Sequence, residues 1–421
     1  MTIQQVLRNR LQRIENVQQT LKPQQIVSGH IIKLYPNNKA LIQLGKQKQI
    51  AQLEASLAVG ERYHFQVQDN RKVVHLKVLG EQLTDKQRSN ISHLLKNLGV
   101  PESRHTIEFV QSLIENRIPF NRQALIKILP FLESAPNKQK AHDVITRMLL
   151  YQLPLTSNVF NALYIKETHQ FSLLVQQVID DIGTDHNNNQ KHHLKSHLQL
   201  LLGQLEDKAG NFNYQSLSKQ NFLQHIQRML ALTGLNYEHL IAHNQLDEQP
   251  LSIKQLLLSL LQGSDSTIGK ERMQQLLQFL TGLQLHSVEE TNHFIYASLI
   301  VPGERVSLNN DLYLQFESKK TEKNEINPDF CRILFYLDLG YLEETVIDMH
   351  IQNRVISLSV FNDHPIIKAT VRPLETVLKK RLADINYQLT SIVYKPLKDQ
   401  EWSPQEVNQY QDKIHGVDFR V

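Results

Sequence analysis

The stretch from Gly263 to Glu271 has the residue types of a phosphate-binding loop. Such a loop wraps phosphate with backbone amides, and it needs four residues between its glycines and a Ser or Thr directly after its Lys. Here five residues separate Gly263 from Gly269, and Glu271 follows Lys270. A loop that joins two helices is the better interpretation. No nucleotide cofactor is therefore predicted.

Histidines are densest around residue 190. His193 and His197 are four residues apart, which places them on one helix face at the spacing of a two-point metal ligand. His186 and His192 lie nearby, but neither a cysteine nor an acidic residue stands at matching spacing. A solvated helix that carries histidines is favoured, and no metal site is predicted.

Adjacent carboxylates occur at Asp180-Asp181 and at Glu343-Glu344. Neighbouring residues diverge on a helix or a strand, so such pairs rarely face one substrate for acid-base work. Cys331 begins an apolar run and is interpreted as a core thiol. We therefore predict no catalytic residue and a protein that is not an enzyme.

Composition restricts the broad class of protein. The chain has 421 residues, which favours two to four domains. Its charged residues are 21% with both signs mixed, unlike a disordered polyelectrolyte, and a net charge of +4 makes nucleic acid an unexpected partner. The single cysteine excludes an internal disulfide. Neither a signal-peptide pattern nor a run of about 18 apolar residues occurs, so we expect a cytoplasmic protein without membrane insertion.

The first 82 residues divide into a helix and a set of strands. Apolar residues at helical spacing predict an N-terminal helix over 1–22, and Pro23 ends it. A period of two then predicts a small antiparallel β-barrel over 23–82. Its five short strands are expected at residues 31–33, 40–44, 49–53, 62–67 and 73–78.

Residues 83–290 follow a helical period and are predicted to form an all-helical domain. The segment 117–121 recurs as 152–156, at an offset of 35 residues. In each copy a helix ends, a proline follows, and Asn121 or Thr156 can cap the next helix. This pattern is that of a repeated helical hairpin, and a helical scaffold protein is one alternative. The polar stretch 185–191 is predicted to be a loop.

Residues 291–398 are predicted to form an α+β domain of strands, one crossing helix and a last strand. Pro365 or Pro373 opens the helix, and Asn386 ends it in the left-handed conformation. Residues 399–421 are predicted to be a tail, in which Trp402 packs on the body. The expected fold class is thus a multi-domain α+β protein with an N-terminal helix, a barrel, a helical middle and a C-terminal sheet.

The segment 331–395 resembles the C-terminal domain of flagellar hook-length control proteins. The resemblance rests on the run 335–339, the paired strands 346–351 and 355–360, the helix through Leu378 and Leu382, and the closing strand at 387–389. The barrel, the hairpins and the last six residues are similar to longer relatives in Firmicutes. The sequence departs from the family at Glu343 and Asn386, where the family has glycine. It also has helices where flagellar members have a disordered ruler.

This resemblance implies a non-enzymatic role in flagellar-type (type III) export. In the family, the C-terminal domain meets the cytoplasmic domain of the export-gate switch protein and changes which substrates are exported. Carried over, the candidate surface is the strands 345–361 and the helix 375–384, with Lys379, Lys380 and Arg381 as polar contacts. A solvated helix face is the alternative for these three residues. Whether the chain is itself exported, and its oligomeric state, stay open.

A nucleic-acid-binding barrel is the other hypothesis, from a different class. Small barrels bind strands with stacked aromatics and basic residues. The candidates are Tyr35, Tyr63 and Phe65 beside Lys33, Lys39, Lys46, Lys48 and Arg62. Tyr63 and Phe65 share one strand face, so the alternative for them is a place in the barrel core.

Overall fold

A computed structural model describes residues 21, 23–45, 47–55, 57–69, 73–83, 87–116, 118–183, 189–203, 229–235, 251–263, 269–290, 294–303, 308, 310–321 and 326–397. Apart from Leu21, the predicted N-terminal helix lies outside these residues, as do the predicted tail and Trp402. The loop predicted at 185–191 is described only in part.

Among the described residues, contacts divide the chain into two units between Tyr164 and Ile165. The N-terminal unit contains the barrel and the first helices, and the C-terminal unit contains further helices and a large sheet. The division lies within the segment 83–290, which the sequence indicates as one helical domain. The five-segment organisation stays a prediction.

Five strands close into a barrel in the N-terminal unit. They are β1 (Ile26–Tyr35), β2 (Lys39–Leu44), β3 (Gln47–Leu53), β4 (Arg62–Asp69) and β5 (Val74–Val78). Their order is β1-β2-β3-β5-β4, and β4 pairs back to β1. Each pairing is antiparallel except β3 with β5. Because strands in a closed ring of five cannot alternate direction at every pairing, at least one pair must be parallel.

The barrel follows from alternating side chains and a tight first turn. Ile31, Ile42 and Phe65 are fully buried and fill its interior. The turn between β1 and β2 places both Asn37 and Asn38 at positive φ, 61° and 54°. Asparagine tolerates this conformation, which matches the twist of a hairpin. The predicted five-stranded barrel is therefore confirmed, with one parallel pair that alternation alone does not predict.

Helices follow the barrel. They are α1 (Gln87–Leu98), α2 (Arg104–Glu115), α3 (Arg122–Ser134), α4 (Lys138–Leu150) and α5 (Ser157–Thr168). The predicted caps are confirmed: the Ala124 amide donates to Asn121 Oδ1 at 2.8 Å, and the Val159 amide donates to Thr156 Oγ1 at 3.4 Å. Each cap satisfies an amide that the first helical turn leaves without a partner.

The C-terminal unit continues with helices that pack around aromatic and aliphatic side chains. They are α6 (Phe171–Ile182), α7 (Asn189–Leu202), α8 (Ile253–Gly263) and α9 (Lys270–Ser287). Phe171 and Phe279 stack with ring centroids 5.2 Å apart inside this core. Ile300 and Leu314 of the sheet belong to the same cluster. Of the helices described, none is both long and apolar enough to cross a bilayer.

Seven strands and one crossing helix complete this unit. The strands are β6 (Val288–Glu290), β7 (Phe294–Val301), β8 (Leu312–Lys320), β9 (Ile326–Leu339), β10 (Glu343–Gln352), β11 (Val355–Phe361) and β12 (Gln388–Lys395), and the helix is α10 (Ile367–Asp384). Neighbours in the sheet are neighbours in sequence. The pairings are antiparallel except β11 with β12, which are parallel. The predicted multi-domain α+β class, with a barrel, a helical middle and a C-terminal sheet crossed by a helix, is confirmed.

We predict that substitution of His64 changes the pH dependence of stability. Burial lowers the pKa of His64 from 6.5 to about 4, so the unfolded chain binds a proton more readily than the folded one in this range. Stability is complete above the unfolded pKa and falls as the pH drops towards 4. The expected loss is about 2 kcal/mol between about pH 7 and about pH 5.

Urea unfolding of His64→Leu at both pH values tests this prediction. Between these two pH values, the free energy of unfolding should fall by about 2 kcal/mol less in the variant than in the parent. His75→Leu, at an exposed position of β5, is the control and should keep the parent's pH dependence. Equal pH dependence in His64→Leu and the parent would contradict the assignment.

Candidate functional site

The start of α10 is fixed by a buried asparagine. Asn362 is 5% exposed, and its Nδ2 donates to Leu342 O at 2.6 Å and to Thr345 Oγ1 at 2.7 Å. Its Oδ1 accepts from the His364 amide at 2.7 Å. These bonds attach the segment before α10 to the beginning of β10. The helix begins at Ile367, so Pro365 precedes it as one prediction has it, and Pro373 lies inside.

The end of α10 confirms the predicted left-handed residue. Asn386 has a φ of 61°, and the Tyr387 amide donates to Leu382 O at 2.9 Å. The next amide, of Gln388, donates to Arg354 O at 2.9 Å and so begins β12 beside the β10–β11 turn. Both ends of the helix are therefore held by hydrogen bonds to the chain that flanks it.

One side of α10 packs on the sheet. Leu382 contacts the cluster of Ile356, Leu358 and Leu389 on β11 and β12. Nearer its middle, Glu375 Oε1 accepts from the Tyr394 hydroxyl at 2.9 Å. Burial, followed by this bond to a carboxylate, raises the pKa of Tyr394 to about 12, so the phenol stays a donor. The sheet thus fixes the rotation of the helix about its axis.

A flank of α10, next to the side that packs on the sheet, exposes apolar residues. Leu374, Val377 and Ile385 are 61%, 51% and 55% exposed, and Leu378 at their edge is 37% exposed. Their spacing of three, four and seven residues places them on one face of the helix. We call these four residues the apolar stripe. Isolated exposed apolar residues are ordinary, but a contiguous patch marks an interaction surface.

The three predicted polar contacts do not share one direction. Lys379, Lys380 and Arg381 are all exposed. Consecutive residues turn by about 100° around a helix, so Lys379 and Arg381 point to nearly opposite sides. By this rotation Arg381 falls between Val377 and Leu374, and Lys380 lies beside Val377. Two of the three predicted cations therefore flank the apolar stripe, and Lys379 lies away from it.

The predicted strand surface, 345–361, has two different faces. Met349 pairs with Leu358 and Ile347 with Val360, and this is the face that α10 covers. The opposite face carries Asp348, which pairs with Ser359. Helix α10 and these strands therefore form one body, and the apolar stripe lies along an exposed flank of the helix.

An ion pair on the opposite face holds β9 and β10 together. Arg332 Nε lies 2.8 Å from Asp348 Oδ1, and Arg332 Nη2 lies 2.7 Å from Asp348 Oδ2. His350 Nε2 is 3.1 Å from the same Oδ1. Only 12% of the Arg332 side chain and 7% of the Asp348 side chain are exposed. Burial raises the pKa of Asp348, but the bonds from Arg332 and His350 outweigh burial and lower it to about 2.

The chemistry of this cluster is that of a fixed ion pair. A bidentate guanidinium occupies both carboxylate oxygens, so Asp348 is not a basic group available to a substrate. Cys331 pairs with Ile351, which places it on the α10 side of the sheet. Burial and the charge of Asp329 raise the pKa of its thiol, which opposes a nucleophilic role. The pair of Arg332 with Asp348 was not predicted from the sequence. The signal that could have indicated it is a charged residue inside each of two apolar strands.

The histidine group and the glycine loop, which the sequence analysis considered, do not lie in the sheet or on α10. His193 and His197 lie on α7, and burial followed by the charge of His193 lowers the pKa of His197. Within the described ranges, no three His, Cys, Asp or Glu side chains meet as a metal site would require. His186 and residues 264–268 of the glycine loop lie outside those ranges.

The adjacent aspartates have separate partners, as their spacing predicts. Asp180 accepts from Gln176 Nε2 at 2.9 Å, and Asp181 accepts from Arg272 Nη1 at 2.5 Å. Arg272 belongs to α9, so the second bond joins α6 to α9. Glu343 is the first residue of β10 and has a φ of 56°. Each of these three carboxylates therefore lies on a helix or at the beginning of a strand.

Two of the three barrel aromatics are core residues. Tyr63 is 6% exposed and Phe65 is fully buried, so the hypothesis that they stack on bases is wrong and their core alternative is confirmed. Tyr35 is 37% exposed, and Lys33 Nζ lies 5.4 Å from its ring centroid. Of the three aromatics, only Tyr35 is available on the barrel surface.

A comparison with curated proteins finds similarity to the uncharacterized protein YlqG of Bacillus subtilis (strain 168). The two are 30% identical over 145 residues, which is 34% of this chain. The match spans 24% of YlqG, about a quarter of that protein's length. No protein-family model matches the chain, and no solved structure matches it with significance.

We predict that Asp348→Asn destabilises the C-terminal unit by about 3–5 kcal/mol, because it removes the carboxylate that binds two guanidinium nitrogens of the buried Arg332. Urea unfolding at neutral pH measures the loss. In the parent, the stabilisation from Asp348 is complete above its unfolded pKa of 3.8 and is lost as the pH falls towards 2. The difference in the free energy of unfolding between parent and variant should therefore decrease below pH 3.8. A stability equal to the parent's at neutral pH would contradict the role of the pair.

Proposed function

We propose that this chain is a non-enzymatic interaction protein of a flagellar-type export system. In the proposal, its C-terminal sheet and α10 dock on the cytoplasmic domain of the export-gate switch protein and change which substrates are exported. This activity is the one that the resemblance to hook-length control proteins implies. The proposed location is the cytoplasm, where that domain lies. The observation that carries the proposal is the apolar stripe on α10.

The stripe has the composition of a docking surface. Leu374, Val377 and Ile385 are more than half exposed, and burying such side chains stabilises a complex by about 1 kcal/mol each. Apolar anchors at helical spacing are how an amphipathic helix enters a groove of its partner. Arg381 lies among these anchors, and arginine is enriched where interfaces concentrate their binding energy. A cation there favours a partner whose groove carries an acidic residue.

The fixed ends of α10 support the same interpretation. Asn362 holds the segment before the helix, and Asn386 holds the end through a left-handed turn. A helix held at both ends presents its outer residues without a further ordering cost on binding. Asn386 stands where the family has glycine, and it adopts the conformation that glycine would supply. This departure therefore leaves the helix end intact.

The proposal predicts that polar changes in the stripe weaken binding to the switch domain. Leu374→Gln, Val377→Gln and Ile385→Gln should each raise the Kd roughly fivefold, because each removes an apolar anchor. Arg381→Gln should raise it as well, whereas Lys379→Gln should not. Isothermal titration of the full chain against the purified cytoplasmic domain of the host's switch protein measures these values.

Leu173→Gln is the matched control. Leu173 is 54% exposed on α6, which belongs to the same unit but not to the proposed surface. This variant should bind as the parent does. Saturable binding that the stripe variants leave unchanged would remove α10 from the interface. An absence of binding at high micromolar concentration would contradict the export-gate partner itself.

A further inference from the structure

The first three barrel strands lie in a long stretch without acidic residues. Between Glu15 and Glu54 the sequence has five lysines and neither Asp nor Glu, although Asp and Glu together number 42 of 421 residues. A stretch of this length would carry about four acidic residues at that frequency. The described part of it forms β1, β2 and β3, whose order makes them adjacent in the barrel. One side of the barrel therefore carries charge of a single sign.

The pairing register places these lysines on one surface. Lys33 pairs with Leu41, which pairs with Ile50 in the next strand. Two positions along, Tyr35 pairs with Lys39. Side chains alternate between the faces of a strand, and those between these positions fill the barrel. The outward residues, which we call the barrel platform, are Lys33, Tyr35, Lys39, Leu41, Lys48 and Ile50.

Cations and apolar groups alternate on the platform. Its three lysines are exposed, and Ile50 and Tyr35 are 52% and 37% exposed. Neighbouring strands are about 4.8 Å apart and alternate positions about 7 Å apart, so each lysine has an apolar neighbour within contact distance. A ligand that matches this surface carries regularly spaced negative charges next to flat apolar faces. A single nucleic-acid strand has this chemistry, since phosphates alternate along it with bases.

The hairpin that carries the platform is held in place at its turn. Gln52 Nε2 donates to Asn37 O at 2.7 Å, which joins β3 to the turn between β1 and β2. Lys33 Nζ lies 5.4 Å from the Tyr35 ring centroid. A base stacked near Tyr35 would therefore bring its phosphate beside a cation. The platform combines a stacking residue and an adjacent charge on a preformed surface.

We propose that the barrel platform binds single-stranded nucleic acid without sequence preference. Lys33, Lys39 and Lys48 neutralise phosphates, and Tyr35 stacks on a base. This site belongs to the N-terminal unit and is independent of the proposed role of α10. Three phosphate contacts predict a salt dependence with a slope of about −2 in log K against log salt. The expected Kd is in the non-specific range of about 10⁻⁴–10⁻⁶ M.

Fluorescence anisotropy with labelled oligothymidylate and the full chain tests the proposal. Binding is measured between about 50 and about 200 mM salt. The double variant Lys39→Gln/Lys48→Gln should reduce the slope to about −0.7, because one phosphate contact remains. The control double variant is Lys96→Gln/Lys127→Gln, which changes the net charge equally at exposed helix positions of the same unit. It should keep the parent's slope.

A second pair of variants tests the stacking. Tyr35→Ala should weaken binding about fivefold or more, and Tyr35→Phe should retain it, since base–aromatic stacking needs the ring alone. All of these positions are on the surface, and circular dichroism checks that each variant is folded. Polyglutamate is the competitor without bases.

Three results would overturn the proposal. The first is no binding at the lowest salt, and the second is an equal loss in both lysine double variants. The third combines two observations: polyglutamate competes as strongly as oligothymidylate, and Tyr35→Ala binds with the parent's affinity. Together they would assign the platform to an acidic protein. None of these results bears on the proposed role of α10. Conversely, a failure to bind the export-gate switch domain would leave the salt dependence of nucleic-acid binding unchanged.

Discussion

The parallel pairing of β11 with β12 determines where α10 lies. Two antiparallel strands can be joined by a tight turn, but parallel neighbours need a connection that returns along the sheet. The 18 residues of α10 span about 27 Å, and the eight residues of β12 span about 26 Å. The helix therefore crosses the sheet once, from the end of β11 to the start of β12. Its inner side rests on Ile356 and Leu358, so its outer side must face away from the sheet.

The fold determines which positions of α10 are exposed, and the sequence places apolar residues at several of them. A crossing helix needs apolar residues on its inner side alone. Leu374, Val377 and Ile385 are nevertheless more than half exposed, and this exposure carries a cost in solubility. The ion pair of Arg332 with Asp348 differs from the stripe, because its two side chains are largely buried and bind each other within the sheet. Of these two features of the C-terminal unit, only the stripe exposes side chains on which the proposed partner would dock.

Local signals made much of the fold predictable. The asparagines at 37 and 38, the caps at Asn121 and Thr156, and the left-handed Asn386 each fix a boundary by its own chemistry. What the sequence could not supply were relations across strands. Alternation placed Tyr63 and Phe65 on one face of β4, but only barrel closure decides that this face is inside. The partners Arg332 and Asp348 are 16 residues apart and meet only through the β9–β10 register.

The candidate site was predictable in position but not in its contact residues. The helix and the cations at 379–381 were recognised, whereas rotation about the helix axis separates Lys379 from Arg381. The helix through Leu378 and Leu382 was predicted, but the sequence alone did not decide which of its apolar residues are exposed. Their exposure follows from the rotation of α10 about its axis, which the contacts of Leu382 and Glu375 with the sheet fix. On the barrel platform, Tyr35 and the three lysines were already candidates from the sequence. The outward positions of Leu41 and Ile50 beside them follow only from the pairing of the strands.

Hydrogen–deuterium exchange of the full chain, with and without the export-gate switch domain, measures whether α10 is the docking surface. We expect exchange to slow across residues 367–385, which carry the apolar stripe, and at the adjoining start of β12. Exchange in the barrel strands should stay the same, because they belong to the other unit. Protection confined to strands β7 and β8, or unchanged exchange in α10 at saturating partner, would contradict the claim that this helix is the docking surface.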